Sequence, residues 1–356
     1  MENLNKSIEN VYKTDDFKNA LFINYGGLGD EILFLPCLEE FKKSYPNCKI
    51  TLALEGRAKG IKQLTGLIDN IIEVDIKAKG IKKYLNVLGL IKKARAGKFD
   101  TVISSGKSPL VAIILYLTGI KRRSGYFSKT AFLLTDGVEL DENQYAGNMY
   151  HDLILPFLDE EDIEDKVCVP HLKADDDFIL PDELKGLENE FIALHPGVSK
   201  MSIEKGIFKC PDVNFWLDVI KGVLNKGKKL VLFGGADDKD IIDKILGCPD
   251  VINNPNFINF YGKTKNLADL KNILSYAKAL ICADSAPLHI GIGLNINIIT
   301  VFGPTNEEKL VPKKDNIKVI TNKKIDCRPC LWHKRMVNCN QSYCLNINVS
   351  DVLEHI

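Results

Sequence analysis

Short apolar runs separated by amphipathic stretches recur along the chain from about residue 20. Residues 20–25, 48–54, 71–74 and 101–104 read as buried strands. Helical spacing fills the intervals, first from the glycines at 26–29 to about Lys43, then around 81–96 and 108–119. Pro36 falls where it would start or kink the first helix. From Val169 to Glu190 the apolar signal gives way to Asp, Glu, Lys and Pro, a composition that predicts an interdomain linker. The pattern then resumes with strands at 191–194, 230–233, 258–261, 279–283 and 296–302. Helices are predicted over about 211–227, 237–246 and 266–279, the last opened by Asn266 and Asp269 in a capping-box variant.

Strands alternating with helices predict βαβ units and an α/β fold with mostly parallel sheets. At 356 residues the chain exceeds what one core usually supports. Two Rossmann-like domains facing across a cleft are therefore expected, over 1–175 and 176–325, followed by a Cys-rich tail at 326–356. Lys+Arg and Asp+Glu both number 47, and this balance argues against a nucleic-acid partner, which calls for a basic face. Lys121-Arg122-Arg123 is the candidate for a local basic patch. The N-terminus does not read as a signal peptide, and the most apolar stretch, 108–120, is too short to span a bilayer. A cytoplasmic protein with most of its ten cysteines as thiols is expected.

In open parallel sheets, ligands bind beyond the carboxyl ends of the strands, so the residues there are the candidates for chemistry. Asp284, Ser285, Ala286 and His289 follow one apolar run and open a helix, where free N–H groups and the macrodipole favour an anion such as a diphosphate. Asp284 or Ser285 as a simple cap and His289 as a packing residue is the competing account. In GGLGDE (26–31), Gly27 and Gly29 allow a ligand to approach the backbone, and Asp30 is either a helix cap or a general base. Ile32 stands where the dinucleotide fingerprint needs a third glycine, so the motif is weak evidence for NAD. Gly197 and Ser199 in HPGVSK can line phosphate oxygens, and Lys200, Lys205 or Lys209 can neutralise a departing diphosphate. Gly234 and Gly235 in LFGGADDKD repeat the strand, double-glycine and acidic-helix design. Cys327, Cys330, Cys339 and Cys344 form a candidate tetrathiolate site, structural because its coordination would be closed, with disulfides as the alternative.

Several of these motifs together resemble the heptosyltransferases of glycosyltransferase family nine. NYGGLGDEILFLPCLEEF resembles the family's N-terminal signature. LHPGVS resembles its P-G-x-S segment, and CADSAPLHIGIGLNINIITVFGPT its D-S-G-P-x-H donor motif. RRSGY, NMYHDLILPFL and the CRPC…C…C tail resemble weaker landmarks, and the likeness runs from about residue 20 to the end. It implies a GT-B fold with an N-terminal acceptor domain, a C-terminal nucleotide-sugar domain and a tail helix crossing back. It implies inverting transfer from an ADP-heptose-like donor without a catalytic metal. By position Asp30 matches the family's base, and Asp284, Ser285 and His289 its donor segment.

Ala286 replaces the usual glycine of the donor motif, and the K-x-W-P segment is altered to Phe208-Lys209-Cys210-Pro211, which leaves Lys205 and Lys209 both open. Members that modify proteins can bind iron through clustered cysteines, so iron stands beside zinc for the tail. The acceptor is expected to be a lipopolysaccharide core, another surface glycan or glycolipid, or a protein, with peripheral association at the inner membrane through that acceptor. A sugar-nucleotide epimerase of the same fold and a non-catalytic nucleotide-sugar-binding scaffold are the alternatives.

Overall fold

The computed structural model describes residues 17–159, 167–331, 339 and 342–356. Two compact units divide them: the residues through Glu142 with Gly147–Cys168, and Asn143–Ala146 with Val169–Ile356.

In the first unit the strands are β1 (Asn19–Ile23), β2 (Lys49–Leu54), β3 (Asn70–Glu73), β4 (Thr101–Ser104), β5 (Arg122–Tyr126) and β6 (Asp136–Val138). All are parallel and lie in the order β3-β2-β1-β4-β5-β6. Its helices are α1 (Leu28–Ser44), α2 (Ile81–Ala96), α3 (Pro109–Leu117) and α4 (Ala146–His151). Helix α1 is buried without a break from Glu31 to Leu38, the signature of a helix enclosed on all sides rather than a surface helix. Pro36 lies in its middle, not at its start, and costs the helix the N–H that Ile32 would otherwise receive.

The second unit repeats the plan. Its strands are β7 (Phe191–His195), β8 (Lys229–Leu232), β9 (Phe257–Asn259), β10 (Ala279–Ala283), β11 (Ile298–Phe302) and β12 (Ile317–Thr321). They too are all parallel, in the order β12-β11-β10-β7-β8-β9. Counted from its own first strand, each sheet has the doubly wound order 3-2-1-4-5-6, which reverses between the first and fourth strands. The fold is therefore two Rossmann-like parallel sheets.

The helices of this unit are α5 (Lys200–Glu204), α6 (Val213–Asn225), α7 (Lys239–Leu246), α8 (Pro249–Ile252), α9 (Leu267–Leu274), α10 (Ala286–Leu294), α11 (Glu307–Leu310) and α12 (Val349–Leu353). Helix α6 shows how sequence sets an element. Asp212 caps it by accepting the Phe215 N–H at 3.0 Å, and Gly227 ends it in the left-handed region at φ 69°. Phe215, Trp216, Val219, Ile220, Val223 and Leu224 recur at helical spacing and enter the core beneath β7 and β8. Each such side chain contributes roughly 1.5–3 kcal/mol on full burial. Helix α12 packs on α6, with Val352 wholly buried.

The polar stretch after Val169 is not a free linker. Leu172 donates its N–H to Gly293 O at 2.9 Å, and Asp175 accepts from Lys271 at 2.6 Å and Asn272 at 2.7 Å. These bonds seat it on the second unit and put the division at Cys168, ahead of the expected 175. Lys121-Arg122-Arg123 is not an open basic patch either. Arg122 is buried, ion-paired to Asp136 at 3.3 Å and stacked 4.2 Å from the Phe157 ring, while Arg123 donates to the carbonyls of Ile120 and Lys121.

Candidate functional site

Strand reversal leaves a crevice at the carboxyl edge of each sheet, and the chemistry-bearing residues collect at both. In the first unit the crevice lies between β1 and β4, where Ser105 Oγ donates to Asn24 Oδ1 at 2.5 Å. The chain turns there through Gly26 and Gly27 into α1. Gly27 donates its N–H to Asp30 Oδ2 at 2.7 Å, so Asp30 does close the helix N-terminus. Capping uses one oxygen only: Oδ1 makes no hydrogen bond among the described residues, and the side chain is half-buried. A Cβ on Gly26 would stand 2.1 Å from Asp30 Cβ, so glycine is what lets the acid fold back over the turn.

Burial disfavours charge on the neighbours of Asp30. Glu31 is fully buried, and burial pushes its carboxyl well above the usual range; Asn24 and the Gly26 N–H oppose this, while the Asp30 charge reinforces it. Tyr25 and Tyr150 are pushed up by burial as well, helped by nearby carboxylates. Opposite them, Arg57 donates to Gly26 O at 3.2 Å and to Glu55 Oε2 at 2.7 Å, and Lys77 meets the same Glu55 oxygen at 2.9 Å. Sequence reasoning missed Glu31, Glu55 and Arg57; ALEGR, an acid and an arginine just past a strand, was the available signal.

In the second unit the crevice lies between β7 and β10, which pair His195 with Cys282. Asp284 is buried just beyond β10, and Lys209 Nζ reaches its Oδ2 at 2.8 Å. Burial alone would raise the Asp284 carboxyl. The Lys209 charge, hydrogen bonds from Lys209 and Thr305, and nearby His289 together outweigh it and hold the acid below the ordinary carboxylate range. Lys205 is exposed at the end of α5, so of the two candidate lysines Lys209 is the one that joins the motif. Ser285 is the N-cap residue of α10 without a side-chain cap bond, and His289 is buried in the first turns. Pro287 occupies the second helical position, where its missing N–H costs nothing. Ala286 begins α10 in ordinary helical backbone, so no left-handed conformation demands a glycine there.

The turn after β8 reproduces the turn after β1. Gly235 donates its N–H to Asp238 Oδ2 at 2.7 Å, with the same three-residue spacing as Gly27 and Asp30. The same Asp238 oxygen lies 3.3 Å from His195 Nε2. A Cβ on Gly197 would stand 1.7 Å from Asp238 Oδ1, which explains that glycine by close approach. Lys200 donates its backbone N–H to Asp237 at 3.1 Å, and Ser199 Oγ lies 2.9 Å from Ser202 Oγ. A Cβ on Gly234 would stand 2.2 Å from Ile242 Cδ1, so Gly234 serves packing. Gly29, in contrast, lies within the first turn of α1. His195 and Asp238 were not anticipated, although the resemblance of GGADD to GGLGD was the clue.

The tail corrects an expectation. All ten cysteines are free thiols, so the disulfide alternative is absent. Burial pushes Cys344 up to about 11, and repulsion from Cys330, Cys339 and Cys327 adds to it; Cys330 is raised in the same way. The four are near enough to influence one another. Among the described residues, however, no three His, Cys, Asp or Glu side chains are arranged to hold a metal ion. As they stand, the described cysteines do not form the expected structural zinc or iron site. Residues 332–338 and 340–341 of that tail lie outside the described residues.

Comparison with known proteins follows the same lines. The family model for glycosyltransferase family 9 (heptosyltransferase) matches residues 87–340. The chain is 25% identical over 311 residues to lipopolysaccharide heptosyltransferase 3 of Escherichia coli K12, covering 81% of this chain and 83% of that protein. It superposes on E. coli ADP-heptose lipopolysaccharide heptosyltransferase II with a TM-score of 0.70 at 19% identity, over 95% of this chain and 97% of the other. The dodecameric iron-containing heptosyltransferase TibC, solved with ADP-D-β-D-heptose, superposes with a TM-score of 0.58 at 13% identity, over 96% of this chain and 76% of the other.

Proposed function

We propose a function from a premise that the family match supplies: the chain belongs to glycosyltransferase family 9 (heptosyltransferase). On this reading the protein is an inverting glycosyltransferase that moves a heptose from an ADP-activated donor to a hydroxyl of the lipopolysaccharide core. Another surface glycan or a protein side chain is the narrower alternative acceptor. The observation that carries the reading is the pair of crevices at the two strand reversals, one holding Asp30 and the other the Lys209–Asp284 pair.

Each residue then has a task. Asp30 Oδ1 takes the proton of the acceptor hydroxyl as its oxygen attacks the anomeric carbon, and Gly27 N–H fixes the carboxylate through Oδ2. Burial of Glu31 disfavours a second charge beside Asp30. In the second unit the N-terminus of α10 and Lys209 face the donor's diphosphate, and the ammonium and N–H groups stabilise the charge that builds on ADP as it departs. Asp284 holds Lys209 in place, and Gly197, Ser199 and Lys200 complete the phosphate-side loop. The chemistry runs on these groups with no step routed through a metal.

Among the described residues no helix is long and apolar enough to cross a membrane. On the proposed reading the enzyme works in the cytoplasm and meets the inner membrane through its acceptor. The test is a transfer assay with ADP-heptose and lipopolysaccharide that lacks its heptose. The expected outcome is ADP release that depends on the acceptor, with an inverted anomeric centre in the product. Donor converted without an acceptor would point to an epimerase, and donor bound without turnover to a scaffold.

A further inference from the structure

Helix α2 is amphipathic in an unusual place. Ile81, Tyr84, Leu85 and Leu88 stand at i, i+3, i+4 and i+7, the spacing of a face that ordinarily packs on a core. Here they are 77%, 71%, 58% and 60% exposed. The helix is anchored through its second half, where Leu90, Ile91 and Ala94 are buried, and no side chain of its first two turns is buried. They rise from the end of β3, at the same carboxyl edge of the sheet that carries the Asp30 turn. Leu110 and Phe127, 61% exposed each, follow β4 and β5 at that edge.

The charge around this face is one-sided. Residues 76–99 hold eight Lys or Arg and no Asp or Glu, in a chain whose net charge is zero, and of the eight Lys77 is paired with Glu55. Lys82 and Lys83 flank the apolar stripe and are exposed, and Lys92 continues the stripe one turn beyond Leu88. From Leu85 to Lys92 is about 10 Å along the helix axis. An apolar tip with cations about that far behind it matches the depth over which a bilayer passes from acyl chains to phosphates. A second copy of the chain is a poor occupant, because an isologous pairing would bring like charges together. A nucleic acid would leave four large apolar side chains with nothing to cover them.

We propose that α2 docks the protein directly onto an anionic membrane, its apolar first turns entering the headgroup boundary and its lysines contacting lipid phosphates. This contact is with lipid itself and is separate from any hold on the acceptor. It does not depend on the proposed transfer reaction, since vesicles free of acceptor suffice to measure it.

The experiment is co-sedimentation of the full-length protein with phosphatidylcholine vesicles and with vesicles containing about one-third phosphatidylglycerol, as a function of salt. Wild type is expected to bind the anionic vesicles at least about tenfold more tightly, with the difference shrinking as salt rises. Leu85→Ser/Leu88→Ser and Lys82→Glu/Lys83→Glu should each lose about tenfold or more. Their melting curves should be unchanged, because all four side chains are exposed. Equal binding to both vesicle types, or binding that neither double variant alters, would overturn the proposal. So would self-association that the leucine variant abolishes, or binding to polyuridylate RNA in place of vesicles.

Discussion

Asp30→Asn is expected to abolish transfer while leaving donor binding intact. The substitution keeps the size of the side chain and still offers an oxygen to the Gly27 N–H, so the turn into α1 survives. What it removes is the ability to take a proton. General-base catalysis is worth about 10²- to 10⁴-fold, and kcat should fall by that factor. Donor affinity should not move, because the proposed donor groups belong to the second unit. Glu31→Gln is the internal control: burial disfavours the charged form of Glu31, so its amide replacement should retain transfer. Residual activity above one-tenth of wild type in Asp30→Asn would assign the base elsewhere. Loss of donor binding together with turnover would mean that the turn serves the donor, not the acceptor.

The second large effect concerns Lys209. Replacing it by Met leaves the buried Asp284 carboxylate without its cation, and breaking a buried pair from one side costs about 3–5 kcal/mol. For a unit of this size that corresponds to a fall in Tm on the order of 10 °C. The pH dependence has a definite sign. In wild type the Asp284 carboxyl is held below its ordinary value, so the stability it contributes is complete above about pH 4 and is lost only as pH falls further. In Lys209→Met the burial penalty stands unopposed, the carboxyl moves up, and the variant loses stability as pH rises instead. Melting curves between pH 5 and pH 8 should therefore show a deficit that widens toward pH 8. Adding Asp284→Asn to Lys209→Met should recover much of the loss, since no charge remains buried. Donor affinity should fall in both variants, which separates the lysine's role toward the diphosphate from its role in stability. A deficit that stays the same across this pH range would contradict the ion-pair account.

Much of this was legible in the chain before any coordinates. Apolar runs at β1, β2, β7, β8, β10 and β11 stand out because those strands are buried on both faces. The edge strands β6 and β12 escaped notice for the converse reason: both are partly exposed and mix apolar with polar residues. β5 escaped because RRSGY does not look apolar; its arginines are satisfied by Asp136 and by carbonyls that only the fold supplies.

The sites divide similarly. Asp30 and Asp284 could be found because they directly follow apolar strands and precede helices. Choosing Lys209 over Lys205 needed the path of the loop after α5, which no periodicity encodes. His195 and Asp238, 43 residues apart in the chain, meet only because β7 and β8 are neighbours in the sheet. The stretch after Val169 read as a linker because its composition is polar. Its polar groups are instead spent on Lys271 and Asn272.

The most direct test of the central claim is calorimetric titration of the protein with ADP-heptose, ADP-glucose, UDP-GlcNAc, GDP-mannose and free ADP. The account predicts binding confined to the ADP compounds and tightest for ADP-heptose. Preference for a UDP or GDP sugar, or equal affinity across the panel, would contradict it.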